Sequence, residues 1–375
     1  MSIESTLKKE GINVIGKLNT LEINKIASNI SEKICKSFPE HNINQSQLFI
    51  SIARLNMFVA EMPNDMAMAK YFYKNNSIYF SKNINFNDLH TLALHECLHF
   101  IQELKDKRGK LLRFGLYNAE KNTGMALNEA SVQLMASYAN KAKIDTVKYY
   151  NMDFSTKSPD YYPIQTALLR QLIHFTGTYP LFHSTLYSND IFKNTFIEVS
   201  NEKAFYQIED NLDLIMHYEN KLSEASFELS NYSGAKTSIN NIKKINEKIE
   251  ALKNIILEKT LKTQNIILTN CFNKQFEHIK NFEDIKQFQS DLYNYKNILI
   301  TAENYNFYNQ YYINMMNKLE EKRAFFTKYG EFSSFGQLNT ELSTIKENTY
   351  GFIFFKKLFL KLKLLLEDYL RAKDF

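Results

Sequence analysis

The sequence is short of the residues that interrupt helices, with five prolines and ten glycines in 375 positions. All five prolines, Pro39, Pro63, Pro159, Pro163 and Pro180, lie in the first half. Beyond residue 180 only Gly234, Gly330, Gly336 and Gly351 break the chain. Proline and glycine punctuate turns, so the second half is expected to be long helices with few joints, and a boundary is placed near residue 196. The three cysteines, Cys35, Cys97 and Cys271, stand far apart with no CxxC spacing. That argues against a disulfide scaffold and fits a reducing, cytoplasmic compartment.

An excess of one charge is also missing. With 46 basic and 41 acidic residues the net charge is +5, too small and too evenly spread for a nucleic-acid surface. The N-terminal "MSIESTLKKEGINVIGKLNT" has no apolar signal core, and no window approaches the roughly 18 uncharged apolar residues of a membrane-spanning helix. What remains is a globular balance, 44% apolar and 23% charged, with room for two or three domains.

In the first half, "AKYFYKNNSIYFSKN" reads as a hairpin: aromatic and β-branched runs flank a Lys74-Asn75-Asn76 turn. A helix follows from Asn87 or Asp88, carrying Leu89, Leu92, Ala93, Leu98, Ile101 and Leu104. "TGMALNEASVQLMASYANKAK" is a second helix with Leu127, Ala130, Leu134 and Tyr138 on one stripe, and two more helices are expected on either side of a Gly177/Pro180 turn. The fold class is therefore α+β over residues 1–195. A helical region is expected over 196–345, where Ile242, Ile245, Ile249, Leu252 and Ile256 step by three and four. This seam is too short for an assured coiled coil, and an antiparallel helical hairpin explains it as well. Such a region could also recruit a protein partner. Residues 346–375 read as a basic amphipathic helix, with lysines 356, 357, 361 and 363 beside an apolar side. It is expected to pack on the helical region, with peripheral membrane contact as the minor alternative.

The chemistry concentrates in "LALHECLHFIQ". Four residues apart on a helix, His95 and His99 share a face and can present two imidazole nitrogens to one ion. Glu96 stands about 100° round from His95, poorly placed to ligate that ion but well placed to hydrogen-bond a water on it. A zinc ion with three protein ligands keeps a position for water and lowers its pKa to about 7. The third ligand must come from downstream. Glu103 would point along the first helix and Glu120 falls in a loop, so Glu129, near the start of the second helix, is the choice. Cys97 points some 200° from His95 and reads as a small core residue, while His90 and His174 sit among apolar neighbours and read as core or surface histidines.

These residues resemble the gluzincin branch of the zincin-like zinc metallopeptidases. "LHECLHFIQ" is similar to the family's HExxH helix, "GMALNEASVQLMAS" to its glutamate helix, and the preceding hairpin to the edge strand that binds an extended peptide. The resemblance covers about residues 45 to 195. It implies zinc held by His95, His99 and Glu129, Glu96 as general base, and a peptide or protein as substrate. One position departs: where the family commonly has an acidic residue supporting a histidine ligand from behind, this chain has Gln133. Gln133 could mean weaker metal binding, and the rival reading is a zincin-fold scaffold of little or no activity that works through protein contacts. A donor for the developing oxyanion is also required. Tyr161, Tyr162 and His183 have the right chemistry, and spacing selects none of them. Asn128 either binds substrate backbone or supports its helix.

Overall fold

A computed structural model of the chain describes residues 3–63, 68–84, 86–232 and 239–330. Helix α1 (Ile3–Lys9) and strand β1 (Asn13–Lys17) lead into α2 (Thr20–Ser37). Asn19 and Glu22 form a reciprocal capping box that starts α2. Its Ile23, Ile26, Ala27, Ile30 and Ile34 recur at helical spacing and are buried. After α3 (Gln45–Ala53) come β2 (Asn56–Glu61), β3 (Ala69–Phe72) and β4 (Ser77–Ser81). The four strands form one sheet in the order β1-β2-β4-β3. The expected hairpin is β3 and β4, antiparallel with Tyr71 opposite Ile78, and β3 is the outer strand. The parallel pairing of β2 with β4 had no sign in the sequence.

The HExxH segment lies on α4 (Phe86–Ile101). This helix ends one turn earlier than its apolar pattern suggests, because the chain turns into β5 (Glu103–Lys105), which pairs with β6 (Leu111–Phe114) and then β7 (Tyr117–Asn118). Leu104, expected on the helix, is consequently exposed on a strand. Helix α5 (Met125–Ala139) carries the expected stripe, and it is buried nearly all round. A hairpin of β8 (Asp145–Tyr149) and β9 (Met152–Thr156) turns at Tyr150 and Asn151, both at positive φ. Three helices then follow where two were expected: α6 (Pro163–Thr176), α7 (Thr178–Tyr187) and α8 (Ile191–Val199). The first break is at Gly177, and the unforeseen one follows Ser188, at φ 50°.

Helices α9 (Glu202–Tyr232) and α10 (Ile239–Glu277) are the long elements expected in the second half. Glu228 pairs with Lys248 and Asn201 with Asn270, so the two helices run antiparallel. Ile245, Ile249, Leu252 and Ile256 are buried along that contact. The hairpin reading of the isoleucine seam is the one adopted. The remaining elements are α11 (Phe282–Tyr295), β10 (Thr301–Ala302), which pairs with β9, and α12 (Phe307–Tyr329).

Two compact units result. One holds the chain up to Glu277 together with Leu292–Tyr308, and the other holds His278–Asp291 with the chain from Asn309. In the second, Phe282 and Phe326 meet edge to face with centroids 5.8 Å apart. The boundary placed near residue 196 falls inside α8, at the fully buried Phe196, and the first unit's core continues across it through Ile208, Leu212 and Ile215 of α9. Scarcity of proline and glycine reports helix length, not which core a helix joins. The helix expected over 346–375 lies outside the described residues. Among the described residues no helix is long and apolar enough to cross a membrane.

Helix α9 also completes α5. Gly124, at the N-terminus of α5, offers no capping side chain. Asp213 of α9 takes that role, accepting the N–H groups of Gly124 and Ala126 at 2.8 Å each. A carboxylate here satisfies otherwise orphaned donors and complements the positive end of the helix. Asp213→Ala is expected to lower the free energy of unfolding by about 1–3 kcal/mol in a urea titration. A variant as stable as the parent would show that water caps α5 equally well.

Candidate metal centre

Helix α4 delivers His95 and His99 because its opposite face, Ala93, Leu94, Cys97 and Leu98, is buried in the core. Helix α5, packed beside it, delivers Glu129 from its second turn. The two imidazole Nε2 atoms are 3.0 Å apart, and each is 3.4 Å from Glu129 Oε2. Ligands at about 2.0–2.1 Å around a tetrahedral ion stand about 3.3–3.4 Å from one another. The two nitrogen–oxygen separations match that value and the nitrogens stand a few tenths of an ångström closer, so the donor set can hold a small divalent cation with a slight adjustment. It is the one group of three or more such ligands among the described residues.

The partners behind the imidazoles set their tautomers. His95 Nδ1 is 3.0 Å from Gln133 Oε1. An amide oxygen only accepts, so Nδ1 carries the hydrogen and Nε2 presents its lone pair to the site. Gln133 thus performs the support that an acidic residue would give. His99 Nδ1 is 3.0 Å from the Gln102 amide, whose Oε1 is buried without a hydrogen-bond partner. The amide orientation that puts this oxygen on Nδ1 removes the orphan and leaves Nε2 bare. Phe114 stacks on the His99 ring at 5.0 Å and 9°, fixing its plane.

Side-chain exposures of 12%, 7% and 16% for His95, His99 and Glu129 leave little water to separate these groups. Burial disfavours charge on His95, but the hydrogen bond to Glu129 and the charges of Glu96 and Glu129 raise its pKa above the ordinary 6.5. Burial pushes Glu129 up, and the two imidazoles outweigh that and hold its carboxyl well below the usual range. Without metal the site holds protons in its place.

Glu96 is buried, and its carboxylate accepts the Tyr71 N–H of β3 at 2.6 Å. The outer strand of the sheet therefore lies directly against the general-base candidate. Glu103 is in β5, where it accepts from the Tyr71 hydroxyl at 2.7 Å and pairs with Lys105. Glu120 pairs with Lys110 at the surface. Neither approaches the ligand triad. Cys97 is wholly buried, which pushes its thiol far above the ordinary value. His174 packs among Phe175, Phe272 and Tyr295, and His90 lies near the start of α4.

Of the three oxyanion candidates, Tyr162 is the one brought to the triad. Its hydroxyl lies near enough to Glu129 to feel that carboxylate's charge, and its ring lies 6.5 Å from that of His95 at 17°. Burial and the charge of Glu129 raise its pKa well above the ordinary 10, so it stays a neutral O–H donor. Its φ of 51° is a strained conformation for an aromatic residue, of the kind that functional sites retain. Tyr161 is exposed. His183 sits elsewhere, with His41, Tyr179 and Asn189. Asn128 is fully buried and accepts the Leu116 N–H at 3.0 Å, so it supports the loop before α5. Sequence reasoning passed over Tyr71 and Gln102. The i, i+3 spacing of Gln102 from His99 was a usable signal; Tyr71 offered none.

No protein family, no curated protein and no solved structure matches this chain. The site stands on its own residues.

Purified protein is expected to bind about one divalent ion per chain, measured by elemental mass spectrometry, with binding lost in His99→Ala and Glu129→Gln. Gln133→Leu should weaken affinity by roughly 10- to 100-fold. Protons and metal compete for the same nitrogens, and His95 binds its proton above pH 6.5. Affinity should therefore fall as pH is lowered from about 8 to about 6; a flat profile would remove the imidazoles from the donor set.

Proposed function

We propose that the protein is a zinc-dependent peptidase, with His95, His99 and Glu129 holding the metal. The observation that carries this reading is the convergence of two imidazole nitrogens and a carboxylate oxygen at tetrahedral separations, with Glu96 on the same helix beside them. Two histidines and one carboxylate are a donor set that zinc takes in hydrolytic sites. When bound, zinc supplies a Lewis acid that lowers the pKa of a water and polarises a carbonyl.

The rest of the chemistry falls to the chain's own side chains. Glu96 accepts the proton of the attacking water and passes it to the leaving amine. Tyr162 donates its hydroxyl hydrogen to the oxygen on which negative charge develops. Strand β3, outermost in its sheet, offers backbone groups for an extended substrate segment. The hydrogen bond from His95 to Gln133 supports the active-enzyme reading over that of a scaffold acting through protein contacts. The three free thiols suit a reducing compartment, and we place the enzyme in the cytoplasm.

Glu96→Gln should retain its zinc and lose turnover of a broad peptide library. Zinc-loaded parent protein that cleaves nothing, or a Glu96→Gln variant with full activity, would sink the proposal. Tyr162→Phe should lower kcat on the order of 100-fold while KM changes little; a change confined to KM would make Tyr162 a binding residue only.

A further inference from the structure

The first turn of α6 carries a second polar side chain besides Tyr162. Gln165, three residues on, is fully buried, and its Nε2 donates to Glu219 of α9. Its Oε1 is buried with no hydrogen-bond partner, an unfavourable state for a buried acceptor. Turning the amide would set its oxygen against the ionised carboxylate and, in that form, offer no relief. Two acceptors, the amide oxygen and the Glu219 carboxylate, are thus held side by side.

Glu219 is half-buried, and among the described residues no lysine, arginine or histidine pairs with it. Burial raises its carboxyl to about 7, with the Gln165 hydrogen bond acting against that shift. Gln165 lies in the first turn of α6, the helix whose N-terminal cap is Tyr162. The Tyr162 ring is 6.5 Å from that of His95, so the acceptor pair belongs to the helix end that faces the metal centre. A carboxylate beside an orphaned amide oxygen lacks a cationic donor. A guanidinium offers five N–H groups in one plane and can satisfy both at once, which an ammonium does less completely.

We infer that Glu219, with Gln165, recognises a cationic side chain of the substrate, arginine above lysine, close to the bond that is cut. This inference rests on the peptidase reading. Glu219 and Gln165 are specificity residues here and touch no reacting atom.

The test uses zinc-loaded full-length protein and two peptide pools that differ only in carrying arginine or its neutral isostere citrulline. The parent is expected to favour the arginine pool by roughly 10- to 100-fold in kcat/KM, expressed in KM. In Glu219→Gln the two pools should become nearly equal. A parent without the preference, or a variant that keeps it, overturns the inference. Should Glu219→Gln fail to fold, Gln165→Met is expected to reduce the preference, and an unchanged preference again overturns it. If the parent cleaves neither pool, the peptidase reading fails by itself. Calorimetric binding of the same peptides then decides: an arginine advantage lost in the variant supports the cation site, and equal binding removes it.

Discussion

Three electron-rich atoms are held within 3.4 Å of one another in a nearly dry setting, and most of the surrounding structure serves that arrangement. Two bare imidazole nitrogens and a carboxylate oxygen repel unless a proton or a cation lies between them, and burial magnifies the repulsion because water cannot screen it. Holding them costs folding free energy that the packing of α4 against α5 must offset. The supports are specific. Gln133 and Gln102 orient the two rings from behind, and Phe114 stacks on one of them. Gly115 lets the loop before α5 pass close to this network. At φ 60°, a β-carbon there would stand 2.3 Å from Asn128 Oδ1 and 2.7 Å from Gln102 Oε1, so any other residue would displace the partner of His99.

Helix α9, beyond the first half, takes part in the setting of the site. Helix α9 sends Asp213 to cap α5, the helix that carries Glu129. One turn earlier Glu209 crowds the same terminus, where a β-carbon on Gly124 would lie 2.8 Å from its carboxylate. Burial and the neighbouring Asp213 and Asp210 lift Glu209 to about 7. Farther along, Glu219 reaches Gln165 on α6. A single helix thus touches both the element that carries Glu129 and the element that presents Tyr162, which ties the geometry of the site to the integrity of that helix.

Local pattern made much of this legible. The β3–β4 hairpin follows from aromatic runs around an asparagine turn, the two metal helices from apolar spacing, and the α9–α10 pairing from the isoleucine seam. Where local reading fell short, a nonlocal pairing decided. Glu103 was assigned to α4 because the helical pattern continues through Leu104, but strand pairing between β5 and β6 takes that segment over. The break after Ser188 was missed because a residue other than glycine supplies the positive φ; the Ser188 hydroxyl hydrogen-bonds the Gln102 carbonyl and receives the Gly115 N–H, and only the tertiary fold brings those groups together.

The sequence by itself determined that His95 and His99 share one helix face with Glu96 a step round from them, because i, i+4 spacing and the 100° step of a helix are properties of consecutive residues. It also favoured Glu129, through the plausibility of a facing helix. Only the tertiary structure decided that Glu129 meets both histidines, that Tyr162 rather than Tyr161 or His183 stands beside them, and that Gln133 is a working partner. It also placed Asp213 of helix α9 against α5 and Glu219 of the same helix against α6. The physical reason is separation along the chain: contacts between residues dozens of positions apart depend on how helices pack, and side-chain pattern within one helix records which face is buried but not what lies against it.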